Sequence, residues 1–309
     1  MRILVTGGAG FIGSHVVDDY LQGGHEVVVV DDLSTGHASN LNPSARFYAL
    51  DIVDPELATI FERERPEIVS HHAAQVDVRR SVSDPVGDAR INVLGSLHVL
   101  ECARQSGVRR VIYASSGGTV YGEPASLPCD EMHPVRPISP YGASKHVVEL
   151  YLAMYCSNYG LEYVVLRYAN VYGPRQDPHG EAGVVAIFAS QMLLDAPVTI
   201  HGDGEQERDF LYVGDCVAAN RIALSASPAN RVFNLGTGRP DSVNRIFALL
   251  KKITDYQRSP IYASAKLGET RRIYLDASRI TTQWGWTPTV DLEEGLRRTV
   301  GHLTDTGKR

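Results

Sequence analysis

The strongest constraint on the fold is a glycine-rich turn near the start of the chain. The apolar run Ile3 to Thr6 leads into the sequence GGAGFIG, which is followed by SHVVDDY. Glycine permits a tight turn and lets backbone N–H groups approach a phosphate at the first turn of the following helix. An isolated turn of this kind is as often an ordinary loop, but this one joins a strand to a helix. It therefore predicts a dinucleotide-binding unit with Gly7, Gly10 and Gly13 at the turn.

Short apolar runs recur through the first half of the chain, with helix-like segments between them. The runs are Ile3–Thr6, Glu26–Val30, Ile68–His71, Val111–Ala114 and Tyr163–Arg167. They do not alternate with polar residues, which is typical of strands buried on both faces of a parallel sheet. This pattern predicts an α/β fold with a Rossmann-like doubly wound parallel sheet.

The rhythm of strands and helices changes after residue 173. We predict a first domain over 1–173, to which the chain returns near 209–240, and a smaller mixed α/β domain over 174–309. The second region has predicted helices at Phe188–Leu194, Val243–Ile253 and Leu292–Leu303, and predicted strands at Val198–His201 and Val232–Leu235.

Composition excludes several classes of function. The net charge of −6 argues against a nucleic-acid or membrane-surface partner, since both require a basic patch. The four cysteines are widely spaced, which favours a reduced compartment without disulfides or a zinc site. No apolar run approaches the ~18 residues of a membrane helix. We therefore expect a cytoplasmic protein with neither a metal site nor a membrane partner.

A carboxylate follows the glycine turn at the end of the second apolar run. Asp31 stands 18 residues after Gly13, where it can accept hydrogen bonds from an adenosine ribose. No Arg or Lys occurs between Asp31 and Arg46 that could bind a 2′-phosphate. The predicted cofactor is therefore NAD rather than NADP.

The use of lysine draws attention to one helix. Of the 30 basic residues 25 are Arg, and Lys145 is the only lysine in the first 250 residues. It lies four residues after Tyr141, in a helix that is predicted to begin with Ser139 as N-cap and Pro140 as first residue. An ammonium on the same helix face favours the phenolate and lowers the pKa of the tyrosine. Because Arg would serve on a solvated face, a functional Tyr141–Lys145 pair is favoured over a surface pair.

Two further segments complete a resemblance to a known family. They are SSGGTVYG at 115–122 and RYANVYGP at 167–174. With the glycine turn, Asp31 and the Tyr141–Lys145 pair, they resemble the extended short-chain dehydrogenase/reductases over nearly the whole chain. Within these, the chain is similar to the UDP-glucose (UDP-galactose) 4-epimerases and their nucleotide-sugar relatives. The resemblance implies NAD-dependent epimerisation at carbon 4 of a UDP-hexose, through a transient 4-keto sugar.

The resemblance assigns catalytic roles. Tyr141 would remove the proton from the 4-hydroxyl, and Lys145 would bind the nicotinamide ribose and tune Tyr141. The family usually has a Ser or Thr hydroxyl beside this base, but the alignment places Gly117 there. In extended backbone Thr119 would face the same side as residue 117, and Ser116 the opposite side. We therefore expect Thr119, or a water in the space at Gly117, to replace the hydroxyl.

The same resemblance implies the binding residues. Those expected to contact NAD are Gly7, Gly10, Phe11, Ile12, Gly13, Asp31, Asp32, Leu33, Ser34, Thr35, Gly36, Asp51, Ile52, His72, Ala73, Ala74, Gln75, Asn92, Tyr141, Lys145 and Tyr168. Those expected to contact the UDP-sugar are Asn170, Val184, Arg208, Lys266 and Glu269. Lys266 stands where the family usually has a second Arg, so it keeps the charge but loses the bidentate fork.

Several alternatives stay open at this point. The substrate could be a UDP-N-acetylhexosamine or a UDP-uronate, or the reaction could be decarboxylation of UDP-glucuronate. The 4,6-dehydratases are disfavoured because Gly118 and Thr119 stand where they carry an Asp-Glu pair. An inactive NAD-binding regulator is disfavoured because Tyr141 and Lys145 are both present. The family also implies a homodimer, formed through segments 89–106 and 140–159.

Overall fold

The computed structural model describes residues 1–178, 183–227, 229–265 and 270–306. Its strands are β1 Arg2–Thr6, β2 Glu26–Asp31, β3 Arg46–Ala49, β4 Ile68–His71, β5 Arg110–Ser116, β6 Glu162–Tyr168, β7 Asn170–Tyr172, β8 Thr199–His201, β9 Glu207–Tyr212, β10 Arg231–Leu235, β11 Pro240–Ser242, β12 Ile261–Ala263 and β13 Arg272–Ile273.

The helices surround these strands. They are α1 Phe11–Gln22, α2 Leu57–Glu64, α3 Val78–Ser83, α4 Pro85–Ala89, α5 Ser96–Gln105, α6 Pro140–Tyr159, α7 Val184–Leu193, α8 Val213–Ala223, α9 Val243–Thr254, α10 Ser278–Trp284 and α11 Leu292–Thr306. A 3-10 turn covers Ala38–Asn40, and a π-helical turn covers Arg90–Gly95. Within the described ranges no helix is long and apolar enough to cross a membrane.

Seven parallel strands form the central sheet, in the order β10-β6-β5-β4-β1-β2-β3. All five predicted apolar runs lie within strands of this sheet. Helices cover both faces: α1 and α8 pack on one, and α2, α5 and α6 on the other. Burial on both faces explains why the strands do not alternate in polarity. The predicted doubly wound parallel sheet is confirmed.

The second region has its own small core. Strand β9 pairs with β7, β11 and β13, while β8 pairs with β12. Helices α7, α9 and α11 enclose a core that includes Phe188, Ile246, Phe247 and Leu296. Residues 231–235 leave this region and extend the large sheet through the pairing of β10 with β6.

Helix α6 begins and ends as its sequence predicts. The Ser139 hydroxyl accepts a hydrogen bond from the Gly142 N–H, Pro140 is the first residue, and Gly160 ends the helix at a φ of 72°. The predicted helix over 89–106 is different, because it is divided by the π-helical turn at Arg90–Gly95. An ideal Cβ at Gly95 would lie 2.7 Å from Ile52 Cδ1, so this turn packs closely against the neighbouring loop.

Candidate active site

One cleft of about 1630 Å³ lies at the carboxyl ends of the central strands and continues into the second region. Ligands of open α/β sheets bind at this edge. Most of the predicted site residues line the cleft: Gly7, Gly10, Phe11, Ile12, Gly13, Asp31, Asp32, Leu33, Ser34, Thr35, Gly36, Asp51, Ile52, His72, Ala73, Ala74, Gln75, Thr119, Tyr141, Lys145, Tyr168, Asn170, Val184 and Arg208. Lys266 and Glu269 lie outside the described residues. The fold therefore brings residues from both halves of the chain to one surface.

The glycine turn leaves no room for side chains. Gly7 has a φ of 69°, and an ideal Cβ there would lie 2.6 Å from Ala73 N. An ideal Cβ at Gly13 would lie 2.1 Å from the Gly7 carbonyl oxygen. Helix α1 begins after Gly10 without a side-chain cap, so the N–H groups of its first turn face the cleft as donors. This cradle fits the pyrophosphate of a dinucleotide.

Asp31 holds the loop that borders the cofactor end. Its carboxylate accepts hydrogen bonds from the N–H groups of Ala9, at 2.9 Å, and Leu33, at 2.8 Å. Burial raises the pKa of Asp31, while these two hydrogen bonds act in the opposite direction. Each carboxylate oxygen has a second lone pair, so Asp31 can also accept from ribose hydroxyls.

Tyr141 and Lys145 form a buried pair at the centre of the cleft. They are 9% and 3% exposed, so the reading as a surface pair is wrong. Lys145 Nζ donates to the Ala114 carbonyl oxygen at 2.9 Å and lies 5.8 Å from the centroid of the Tyr141 ring. Burial lowers the pKa of Lys145 to about 8, which Asp88 and Glu149 oppose. A positive charge is thus held beside a phenol, as proton transfer by the tyrosine requires.

The backbone after β5 differs from the prediction. Residues 117–119 form a turn, in which the N–H groups of Thr119 and Val120 approach the Ser116 carbonyl oxygen at 3.4 and 3.1 Å. The expectation of extended backbone here is therefore wrong. Ser116 and Thr119 both line the cleft, because the turn reverses the alternation that an extended chain would impose. The Thr119 hydroxyl oxygen is buried without a hydrogen-bond partner among the described residues.

Gly117 faces away from the cleft. An ideal Cβ at this position would lie 2.5 Å from Leu275 Cδ1 and 3.3 Å from the Arg167 carbonyl oxygen. Leu275 therefore fills the space in which we expected a water molecule, and that expectation is wrong. At Gly118 an ideal Cβ would lie 3.7 Å from Asn170 Oδ1 and 3.9 Å from Ser116 Oγ, so this glycine opens onto the cleft.

Asn92 is buried against the loop that contains Gln75. It is 2% exposed and does not line the cleft. Its amide oxygen accepts from the Gln75 N–H at 2.8 Å, and its amide nitrogen donates to the Gln75 carbonyl and to Asp88 at 2.9 Å. Asn92 therefore shapes the Gln75 loop, which lines the cleft, and its contact with the cofactor stays a prediction.

Two glutamines were not predicted at the end of the cleft that the second region forms, where the UDP-sugar is expected; we call this the substrate end. Gln191 and Gln206 line the cleft, and the amide oxygen of each is buried without a hydrogen-bond partner among the described residues. Gln191 follows Val184 and Phe188 at helical spacing on the cleft-facing side of α7. The helical spacing of Gln191 from Val184 is visible in the sequence and could have indicated this position. Arg208 lies nearby, where its guanidinium donates to the Glu207 carbonyl oxygen at 2.9 Å.

The chain matches a family model over residues 3–236. The description of that family is NAD dependent epimerase/dehydratase. The chain belongs to this family. Membership confirms the resemblance seen in the sequence and agrees with the prediction of NAD from Asp31.

Members of the family with solved structures share the whole fold. The chain is 51% identical to UDP-glucose 4-epimerase from Thermotoga maritima, solved with UDP-glucose, with a TM-score of 0.97 over 99% of both chains. It is 44% identical to UDP-glucose 4-epimerase from Thermus thermophilus, solved with NAD, with a TM-score of 0.93 over 98% of this chain and 99% of the other. UDP-glucose 4-epimerase from Mycolicibacterium smegmatis is 45% identical in an alignment of length 305 that covers 97% of each chain.

Proposed function

We propose that this protein epimerises carbon 4 of a UDP-hexose, interconverting UDP-glucose and UDP-galactose with bound NAD. The observation that carries the proposal is the buried Tyr141–Lys145 pair, which lies on a cleft that also includes the glycine cradle and Arg208. The names of the similar epimerases agree with this activity. In this proposal residues 1–173 hold mainly the cofactor, and residues 174–309 hold mainly the UDP-sugar.

The chain's own residues move one proton. Bound NAD supplies reversible acceptance of a hydride from carbon 4. Tyr141 accepts the proton of the 4-hydroxyl as that hydroxyl becomes a carbonyl, and returns it when the hydroxyl forms again with the other configuration. Lys145 stabilises the phenolate that must be present before this transfer. A hydroxyl at Thr119 or Ser116 would hydrogen-bond the same sugar oxygen.

The second region would hold the rest of the substrate. A guanidinium suits a diphosphate because it can form two parallel hydrogen bonds, which favours Arg208 as its main ligand. Asn170 and Val184 line the cleft beside it. Lys266 and Glu269, which lie outside the described residues, stay the further UDP-sugar contacts that the family resemblance implies.

The assay is simple because the cofactor is recycled. Purified protein should convert UDP-galactose to UDP-glucose without added nucleotide. Tyr141→Phe should lower kcat by about 10²–10⁴-fold, the usual size of a general acid–base contribution, while its bound NAD stays unchanged. Full activity in Tyr141→Phe would overturn the mechanism.

A panel of substrates separates the alternatives. UDP-N-acetylglucosamine and UDP-glucuronate should be tested in the same way, with product separation that also detects a UDP-pentose. Faster turnover of one of these would reassign the substrate, and a pentose product would indicate decarboxylation. Absence of turnover on the whole panel by NAD-containing protein would favour the regulator.

We also propose a homodimer, formed by the segments 89–106 and 140–159. Exposed apolar side chains lie on these two packed segments, at Leu94, Leu150 and Met154. Adjacent exposed apolar side chains of this kind mark interaction surfaces. Leu150→Glu should give a monomer in sedimentation measurements. The proposed epimerase activity further assigns the protein to galactose metabolism, in the cytoplasm.

A further inference from the structure

A buried carboxylate beside the catalytic helix takes no part in the chemistry above. Asp88, on α4, is 2% exposed. Its Oδ2 accepts from Ser144 Oγ at 2.6 Å, and its Oδ1 accepts from Gln75 Nε2 at 3.0 Å and Asn92 Nδ2 at 2.9 Å. A buried carboxylate is costly unless its oxygens are satisfied and its charge is balanced. Three hydrogen bonds meet the first requirement.

The three donors belong to three parts of the active site. Ser144 lies directly before Lys145 on the helix that carries the catalytic pair. Gln75 lines the cofactor cleft. Asn92 lies in the π-helical turn, a deviation that is frequent at functional sites. Asp88 thus connects the catalytic helix α6 with Gln75 and with the π-helical turn through hydrogen bonds.

The same network reaches the glycine turn. Asn92 accepts from Ser96 Oγ at 2.6 Å through its carbonyl oxygen, and Ser96 Oγ is 2.9 Å from His71 Nε2. The other ring nitrogen of His71 lies 2.6 Å from Thr6 Oγ1. Thr6 ends β1 immediately before Gly7. A chain of buried hydrogen bonds therefore joins the cradle to Asp88.

One carboxylate near Lys145 is available to balance the charge of its ammonium. Burial, together with Lys145, lowers the pKa of His71 and His72 to about 3, so both rings are neutral at physiological pH. Glu149 is bound to Arg167 at 2.5 Å. The groups that interact with Lys145 are Tyr141 and Glu149 on its own helix, Tyr113 on β5, His71 and His72 at β4, and Asp88 on α4. Asp88 is the carboxylate of this set that has no ion pair among the described residues.

We propose that Asp88 is a positioning residue: it fixes the turn of α6 that carries Tyr141 and Lys145, and its charge balances the Lys145 ammonium. The role in turnover rests on the proposed function. The charge balance does not, because it concerns groups of the protein alone.

Asp88→Asn removes the charge and keeps the shape. The amide oxygen can still accept from Gln75 and Asn92, and the amide nitrogen can donate to Ser144 Oγ. Ser144→Ala is the matched control, because it removes one hydrogen bond and keeps the charge. Both changes weaken the hydrogen bond to α6, Asp88→Asn by removing its charge and Ser144→Ala by removing its donor, but only Asp88→Asn should alter the ionisation of Lys145.

Lysine ionisation can be measured directly. The chain has five lysines, so NMR of protein labelled with ¹³C-lysine gives five side-chain signals, and Lys145→Arg identifies that of Lys145. The Lys145 midpoint should lie near pH 8 in the parent and about one unit lower in Asp88→Asn, since loss of a nearby opposite charge favours the neutral amine. It should not move in Ser144→Ala. An unmoved midpoint in Asp88→Asn overturns the charge balance.

Kinetics test the role in turnover. In Asp88→Asn the alkaline limb of the kcat profile should move to lower pH with the Lys145 midpoint, while KM stays within about twofold because Asp88 touches no substrate. A change in KM with an unshifted limb contradicts the proposal. Should Asp88→Asn not fold, Asp88→Ser is the second neutral variant for both measurements. If the parent shows no turnover, the proposed function fails, and the lysine titration still tests Asp88.

Discussion

The two ends of the cleft differ in how their polar groups are satisfied. At the cofactor end, Asp31, Asn92 and Lys145 each have protein partners at hydrogen-bond distance, and His72 Nδ1 is an exception that has none among the described residues. At the substrate end, the amide oxygens of Gln191 and Gln206 have none among the described residues. A buried polar atom without a partner is costly, so it favours a ligand that supplies one. We infer that the first end is built around a resident cofactor, and the second around a ligand that comes and goes.

The largest expected effect is at the cradle. Gly13→Ala places a methyl group 2.1 Å from the Gly7 carbonyl oxygen, so the turn must move and NAD should be lost. Released nucleotide, measured after denaturing the protein, should fall to background, while binding of UDP is retained. Gly301→Ala is the control, because an ideal Cβ at this glycine of α11 has no neighbour within 4 Å and the residue does not line the cleft. Loss of UDP binding in Gly13→Ala would show that the two ends are not independent.

A smaller effect is expected where the two ends meet. Thr119→Val removes the unpartnered hydroxyl without changing the shape of the side chain, and Ser116→Ala removes the other candidate. One of the two should lower kcat by about tenfold or more, since removal of a hydrogen bond to the reacting oxygen acts on the transition state. NAD content should be unchanged in both. If both variants were as active as the parent protein, Tyr141 would act without a neighbouring hydroxyl.

The smallest effect is expected at the substrate end. Gln191→Leu removes a polar group that substrate is expected to pair, so KM should rise by about tenfold, with kcat and NAD content almost unchanged. Gln257→Leu, at an exposed glutamine remote from the cleft, is a matched control. If Gln191→Leu lowers NAD content instead, the division between the two ends is wrong.

Most of the fold follows from local sequence patterns. The apolar runs of the first half became central strands because residues adjacent in the chain decide whether a segment is buried on both faces. The ends of α6 were predicted for the same reason, since Ser139, Pro140 and Gly160 each act on backbone groups within one helical turn. The division of segment 89–106 was not predicted; it lies where Gly95 packs closely against Ile52, a contact between residues far apart in the chain.

By itself, the sequence determined the strand–turn–helix cradle, the carboxylate for NAD and the Tyr141–Lys145 pair. Each depends on spacing within one helix or one strand–helix–strand unit. Only the tertiary structure decided three contacts: Gly117 packs against Leu275, Asn92 accepts from the Gln75 N–H, and Asp88 accepts from Ser144. Asp88 and Ser144 are 56 residues apart in the chain. Such contacts depend on how whole helices and loops pack together, which residue spacing along the sequence does not predict.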